Sequence, residues 1–188
     1  MEMHKFEKFF VNSDLCNIIH KRFIFPSFFK FIDKNLNGKA LEIGCGIGKT
    51  TEFIAKEYNK LNIIAIDYDK EQIKIANKNK FKNAKFSQGD ATHLKFKNSS
   101  FDYVIESNSF HHLDYKAAIK EVSRVLKNNG TFYLMDVSQY FFIWPVYLFF
   151  PPESSFSKRE FINSLEDNRF KLEKSKRNLL FFIAARKI

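Results

Sequence analysis

Residues Ala40 to Thr51 read Ala-Leu-Glu-Ile-Gly-Cys-Gly-Ile-Gly-Lys-Thr-Thr, and no other stretch restricts the fold as tightly. A short apolar run ends in Gly44, Gly46 and Gly48, and a helix-like pattern follows. Glycine lets the backbone turn where a Cβ would block it. The free N–H groups and dipole at the start of the following helix favour a closely approaching, electron-rich ligand. A second apolar run, Ile63-Ile64-Ala65-Ile66, ends in a carboxylate at Asp67. A glycine-rich turn, a helix, a strand and a terminal acid, in that order, are how an open α/β sheet grips the ribose of an adenine-containing ligand.

The rest of the chain fits such a sheet. Its 188 residues are enough for one domain with a sizeable core, and 45% of them are hydrophobic, too many for a disordered chain. From Lys39 onward strands and helices alternate. The pattern predicts strands at Lys39–Gly44, Asn62–Ile66, Ala84–Ser87, Phe101–Glu106 and Thr131–Val137, with helices at Lys49–Tyr58, Lys70–Lys80 and Tyr115–Leu126 between them. Asn128-Asn129-Gly130 reads as a helix stop before the fifth strand. A helix at Lys158–Asn168 precedes two closing strands, Phe170–Lys176 and Leu179–Lys187, joined by a turn at Arg177-Asn178. This alternation predicts an α/β fold, a mostly parallel sheet with helices on both faces and antiparallel pairing at its end. Residues 1–36 read as an N-terminal helical cap: Leu15, Ile18, Ile19 and Phe23, then Phe25, Phe28, Phe29 and Ile32, keep helical spacing, and Pro26 suits a first turn. Residues 37–188 form the core of the same domain, interrupted by an apolar insertion at 139–156.

Ligands of open α/β sheets bind beyond the carboxyl ends of the strands. That rule selects Glu42, Gly44, Cys45 and Gly46 after the first strand, Asp67 and Tyr68 after the second, Gly89, Asp90 and Ala91 after the third, and Glu106, Ser107 and Asn108 after the fourth. Asp69, just before a helix, reads as a cap instead. Two cysteines, Cys16 and Cys45, offer neither a disulfide framework nor a zinc cluster, so no metal site is expected.

These motifs resemble the class I S-adenosylmethionine-dependent methyltransferases, close to their small-molecule branch. Leu41–Gly48 matches the first motif of that family, Ile66-Asp67 the second, and Gln88-Gly89-Asp90-Ala91 the third. Phe101-Asp102-Tyr103-Val104-Ile105 with His111-His112-Leu113 is similar to the fourth, and Arg124–Thr131 to the motif before the fifth strand. The resemblance implies a Rossmann-like sheet of seven strands with the last one antiparallel, and S-adenosylmethionine as cofactor. It places Gly44, Cys45 and Gly46 under the methionine part, Glu42 near its amino group, Asp67 and Tyr68 at the ribose, Gly89, Asp90 and Ala91 around the adenine, and Glu106 and Ser107 near the transferred methyl. His111 and His112 are then the best-placed candidates for a base.

A different reading is a phosphate-binding loop, since Gly44–Thr50 resembles G-x-x-x-x-G-K-[ST]. Ile43 stands where that pattern requires its first glycine, so the loop is one residue too short. The reading also leaves Asp67 and Gly89-Asp90 unexplained.

The acceptor is less constrained. Net charge is +10 with a pI of about 9.5, which suits RNA, a lipid surface or an acidic substrate, but the scattered lysines fit better with the composition that an AT-rich genome gives. No RNA module is visible, and Glu106-Ser107-Asn108-Ser109 stands where many amino-methylating nucleic-acid enzymes carry an Asn-Pro-Pro-Tyr-type motif, so nucleic acid is not expected as a partner. Tyr140–Pro152 is strongly aromatic but proline-broken, and the N-terminal phenylalanines are interleaved with Lys5, Lys8, Lys21, Arg22 and Lys30. Together they suggest a small lipophilic acceptor, lipid- or quinone-like, met during peripheral contact with an anionic membrane; packing of the two segments on each other is the plainer alternative. A cofactor-binding protein without catalysis also remains open. No apolar run reaches the roughly 20 residues that span a bilayer, and Lys5, Glu7 and Lys8 interrupt any secretory signal, so the expected location is the cytoplasm.

Overall fold

A computed structural model describes residues 12–13, 18, 20–137, 157–177 and 180–188. Among these, seven strands form one sheet: β1 (Gly38–Ile43), β2 (Leu61–Asp67), β3 (Ala84–Gln88), β4 (Phe101–Ser107), β5 (Leu126–Val137), β6 (Phe170–Arg177) and β7 (Leu180–Lys187). Their order is β3-β2-β1-β4-β5-β7-β6. The first five run parallel. β7 is antiparallel to both neighbours and slots between β5 and β6, so β6 and not the last strand forms the edge. The strand order reverses between β1 and β4, the topological switch where such sheets open a crevice at their carboxyl ends.

Alternate residues of each strand feed two cores, as the period-two geometry requires. Leu41, Ile43, Val104, Phe132 and Leu134 pack under α4 (Tyr115–Val125) and α5 (Lys158–Asp167), through Ile119, Val122, Phe161 and Leu165. Ala40, Ile63, Ala65, Ile105 and Tyr133 face the other way, toward α1 (Phe25–Phe31), α2 (Lys49–Glu57) and α3 (Lys70–Ala76). Phe28 and Phe29 of α1 are buried there, and Phe29 stacks on Phe53 at 4.6 Å. Each buried phenylalanine contributes about 1.5–3 kcal/mol relative to exposure, which explains why so aromatic a helix belongs to the core. Pro26 stands in its first turn, and one π-helical turn, His20–Ile24, precedes it.

Some boundaries differ from the sequence reading. α3 stops at Ala76, where Lys78 and Asn79 donate to Ile75 and Ala76 in a tightened last turn, instead of running to Lys80. β5 begins at Leu126, which pairs with Phe101 across an irregularity in the ladder, so the expected stop at residues 128–130 lies inside the strand. α5 opens with a capping box, Ser157 and Glu160 each satisfying the other's backbone N–H. The first N-terminal helix, the 139–156 insertion and the Arg177-Asn178 turn fall wholly or mainly outside the described residues.

Candidate active site

A cleft of about 300 Å³ opens at the carboxyl ends of β1, β2 and β4. Gly44, Cys45, Gly46, Asp67, Tyr68, Gly89, Asp90, Ala91, Ser107, Asn108 and His112 all line it, so eleven of the residues selected from sequence share one cavity. The turn after β1 is held by hydrogen bonds. Cys45 N–H donates to the Ile66 carbonyl at 3.0 Å, and Gly48 N–H to the Cys45 carbonyl at 2.9 Å. Gly46 N–H donates to Asp67 Oδ2 at 2.8 Å, and Asp69 N–H to Asp67 Oδ1 at 2.9 Å. Asp67 therefore ties the ends of two adjacent strands together while lying on the cleft wall. Gly46 adopts φ +53°, and a Cβ built there meets nothing within 4 Å. The main chain is bare toward the cleft, which is the shape a ligand lying against backbone requires.

The third-strand residues complete one side. Asp90 Oδ1 accepts from Thr92 N–H at 2.8 Å and from Thr92 Oγ1 at 2.7 Å, and Asp90 Oδ2 stands 3.8 Å from His93 Nδ1. These donors hold the Asp90 carboxyl below the usual range against the opposing effect of its partial burial. Asp69 caps α3, accepting from Glu71 and Gln72 N–H. Cys45 is buried, and burial followed by the charges of Glu42 and Asp67 pushes its thiol well up, so it is not a thiolate nucleophile.

Three expected residues lie behind the wall instead of on it. Glu42 is only 1% exposed, and neither carboxyl oxygen has a hydrogen-bond partner among the described residues. Burial pushes its carboxyl up to about 8; the Thr51 hydroxyl, close by but short of hydrogen-bond geometry, offsets part of this and the charge of Asp67 adds to it. Glu106 is fully buried beneath the turn that follows β4. His111 must be separated from His112. A 3-10 turn, Phe110–His112, carries both, and their ring centroids stand 3.9 Å apart. His111 turns inward, its Nδ1 2.6 Å from Asp136 Oδ1, while His112 lines the cleft.

The structure also adds residues that the sequence did not single out. Asn12, Phe25, Lys49, Gln72, Thr92, Ser109 and Leu113 line the cleft. Lys49, the residue that gave the turn its likeness to a phosphate loop, donates to the carbonyls of Asn12 and Ser13 at 3.3 and 3.4 Å and so holds these two residues beside the cleft. No cluster of metal-ligating side chains occurs among the described residues.

Residues 41–134 match the family described as the methyltransferase domain. The demethylmenaquinone methyltransferase of Lactobacillus johnsonii is 32% identical over 119 residues, which are 60% of this chain and 49% of that protein. YcgJ of Bacillus subtilis, an uncharacterized methyltransferase, is 30% identical over 140 residues, 72% of this chain and 51% of that protein. The chain thus spans about half the length of these curated relatives. Among solved structures, a methyltransferase dependent on S-adenosylmethionine from Aquifex aeolicus shares the fold with a TM-score of 0.80 at 18% identity, covering 100% of both chains. The YcgJ structure does so at 0.69 and 20% identity, covering 86% of this chain and 94% of that one.

Proposed function

The chain belongs to the methyltransferase-domain family of class I S-adenosylmethionine-dependent enzymes, and from that membership we propose that it transfers a methyl group to a small lipophilic acceptor. The single observation that carries the reading is the bare turn at Gly44–Gly46 held by the Asp67 carboxylate inside the switch-point cleft. When bound, S-adenosylmethionine supplies an electrophilic methyl on a sulfonium. The chain's own part is to bind, orient and exclude water. Gly44, Cys45 and Gly46 offer main chain to the methionine part. Asp67 accepts from the ribose hydroxyls, since each carboxylate oxygen takes more than one donor. Tyr68, Gly89, Asp90 and Ala91 bound the adenine. Glu42, behind the turn, meets the field of the cofactor's amino group without touching the cleft, and Ser107 stands at the methyl end. His112 takes the proton of an acceptor whose hydroxyl or carbon acid needs activation.

Support for a lipophilic, quinone-like acceptor comes from two sides. Relatives at 32% identity are named demethylmenaquinone methyltransferases, and Phe25 and Leu113 give the cleft apolar walls. Next to Phe25, the exposed Ile18 and Phe23 flank the exposed Lys21 and Arg22, a combination suited to peripheral contact with an anionic bilayer. No helix among the described residues is long and apolar enough to cross a membrane.

The test uses cofactor carrying a tritiated methyl, offered with a demethylated naphthoquinol or with total RNA. Label in the quinol, lost in His112→Ala, is the expected outcome. Label in RNA, or none in the quinol while cofactor binds, contradicts the acceptor assignment.

A further inference from the structure

Glu106 ends β4 fully buried, and the methyl-transfer reading gives it no contact with a ligand. Its Oε1 accepts from Ser109 N–H at 2.5 Å, from Ser109 Oγ at 3.0 Å and from Phe110 N–H at 3.2 Å. Its Oε2 is buried with no hydrogen-bond partner among the described residues. The grip on Ser109 reaches the cleft. A Cβ built on Gly44 would stand 2.2 Å from Ser109 Oγ, so the Ser109 side chain occupies the space above the glycine turn, and both residues line the cleft.

A second buried acid holds the same turn from the neighbouring strand. Asp136, also fully buried, accepts from His111 N–H at 3.0 Å and faces His111 Nδ1 at 2.6 Å. Glu106 pairs with Leu134 in the parallel ladder, and Asp136, two residues on, therefore projects to the same face as Glu106. The 3-10 turn is thus clamped at its start by Glu106 and at its middle by Asp136.

We propose that Glu106 is a positioning residue for cofactor binding: through Ser109 it fixes the cleft wall over Gly44, against which the methionine end of the cofactor lies. The proposal rests on the cofactor assignment made above. Burial favours the neutral form of Glu106 in this role. The titratable side chains around it are Asp136 on β5 and His111 and His112 on the turn. Two acids buried on the same face of adjacent strands do not both ionise without a large cost. Burial and then the Asp136 charge push the Glu106 carboxyl well up, while its Ser109 and Phe110 donors offset only part of that. Ionising Glu106 would place its charge in dry protein against Asp136 on the neighbouring strand, a cost that the turn it holds must bear.

S-adenosylhomocysteine is the probe, titrated calorimetrically into the full chain from about pH 6 to about pH 10, with thermal melts confirming that each variant is folded. Glu106→Ala is expected to bind about tenfold more weakly across the range, the size of about one lost hydrogen bond. Glu106→Gln restores the acceptor oxygen, recovers most of the lost affinity and keeps it further into the alkaline arm, where wild type weakens. The ionisation of the ligand's own amino group is common to both and cancels in the comparison. Wild-type affinity in Glu106→Ala, or identical pH profiles for wild type and Glu106→Gln, would overturn the proposal. If Glu106→Ala does not fold, the Glu106→Gln profile alone decides. Absence of binding by wild type at any pH would instead remove the cofactor assignment itself.

Discussion

At the carboxyl ends of β1 and β4, Glu42 and Glu106 lie in dry protein beside further acids and are pushed toward their neutral forms. At the opposite end of the sheet, Asp33 is exposed and Asp102 half-buried, and each meets a lysine. Asp33 accepts from Lys174 Nζ at 2.7 Å and from the Tyr133 hydroxyl at 2.8 Å. Asp102 accepts from Lys127 Nζ and Lys39 N–H, both at 2.8 Å. The Lys174 hydrogen bond holds Asp33 low despite some burial, and the Asp102 partners outweigh the burial that would raise it. A cavity of about 500 Å³ lies at that end too, larger than the 300 Å³ cleft. Its size does not make it the site. Paired surface charges contribute about 0–1 kcal/mol each and ask nothing of a ligand, whereas acids buried without a cationic partner cost stability and are retained where chemistry needs them.

The contrast breaks most sharply at Asp67. Asp67→Ala removes both the ribose acceptor and the tie to Gly46 and Asp69, and S-adenosylhomocysteine affinity is expected to fall by about 1.5–3 kcal/mol, read by calorimetry. Gly46→Ala comes next. Its Cβ enters open space, so the protein tolerates the change apart from the roughly 1–2 kcal/mol of a left-handed backbone, yet the ligand's approach to main chain is obstructed. An expected loss of about tenfold in affinity with a small fall in Tm separates this from a folding defect; undiminished affinity would mean that no ligand lies on the turn.

Stability against pH gives a smaller effect. Glu42 is raised in the fold to about 8 from the usual 4.5 of a glutamate. A raised acid is protonated more firmly in the folded than in the unfolded chain, so its contribution is full below about 4.5 and is lost as pH climbs through about 8. Glu106 has the same sign. Melting curves of wild type and Glu42→Gln should therefore diverge in favour of the variant as pH rises across that window, and parallel curves would mean that Glu42 is not held neutral. The smallest change belongs to the far end: Tyr133→Phe removes the hydrogen bond to Asp33 and should lower stability by about 0.5–1.5 kcal/mol in denaturant unfolding. Its ligand affinity should stay that of wild type, and a weakened affinity would show that the two ends are coupled.

The parts legible in the sequence were those written locally. Strand periodicity, the glycine turn, Asp67 and Gly89-Asp90-Ala91 each carry their signal within a few residues, and the cleft assembles them as the strand-end rule requires. What stayed hidden depends on residues far apart in the chain. Asp136 meets His111 only because β5 lies beside β4, and that contact decides which of two adjacent histidines faces the cleft. Ser109 matters through Gly44, and Lys49 through Asn12 and Ser13, at separations no local pattern spans. The burial of Glu42 also escaped notice, because a strand-end acid reads alike whether it faces the crevice or the α2 side chains beneath it.

Backbone amide shifts followed by NMR during titration with S-adenosylhomocysteine test the central claim most directly. The account predicts saturable shifts at Gly44, Cys45, Gly46, Tyr68, Gly89, Asp90, Ala91 and Ser107, with Lys34, Asn129 and Thr131 at the other end of the sheet unmoved. No shifts at a well-populated ligand concentration, or shifts confined to the far end, would contradict it.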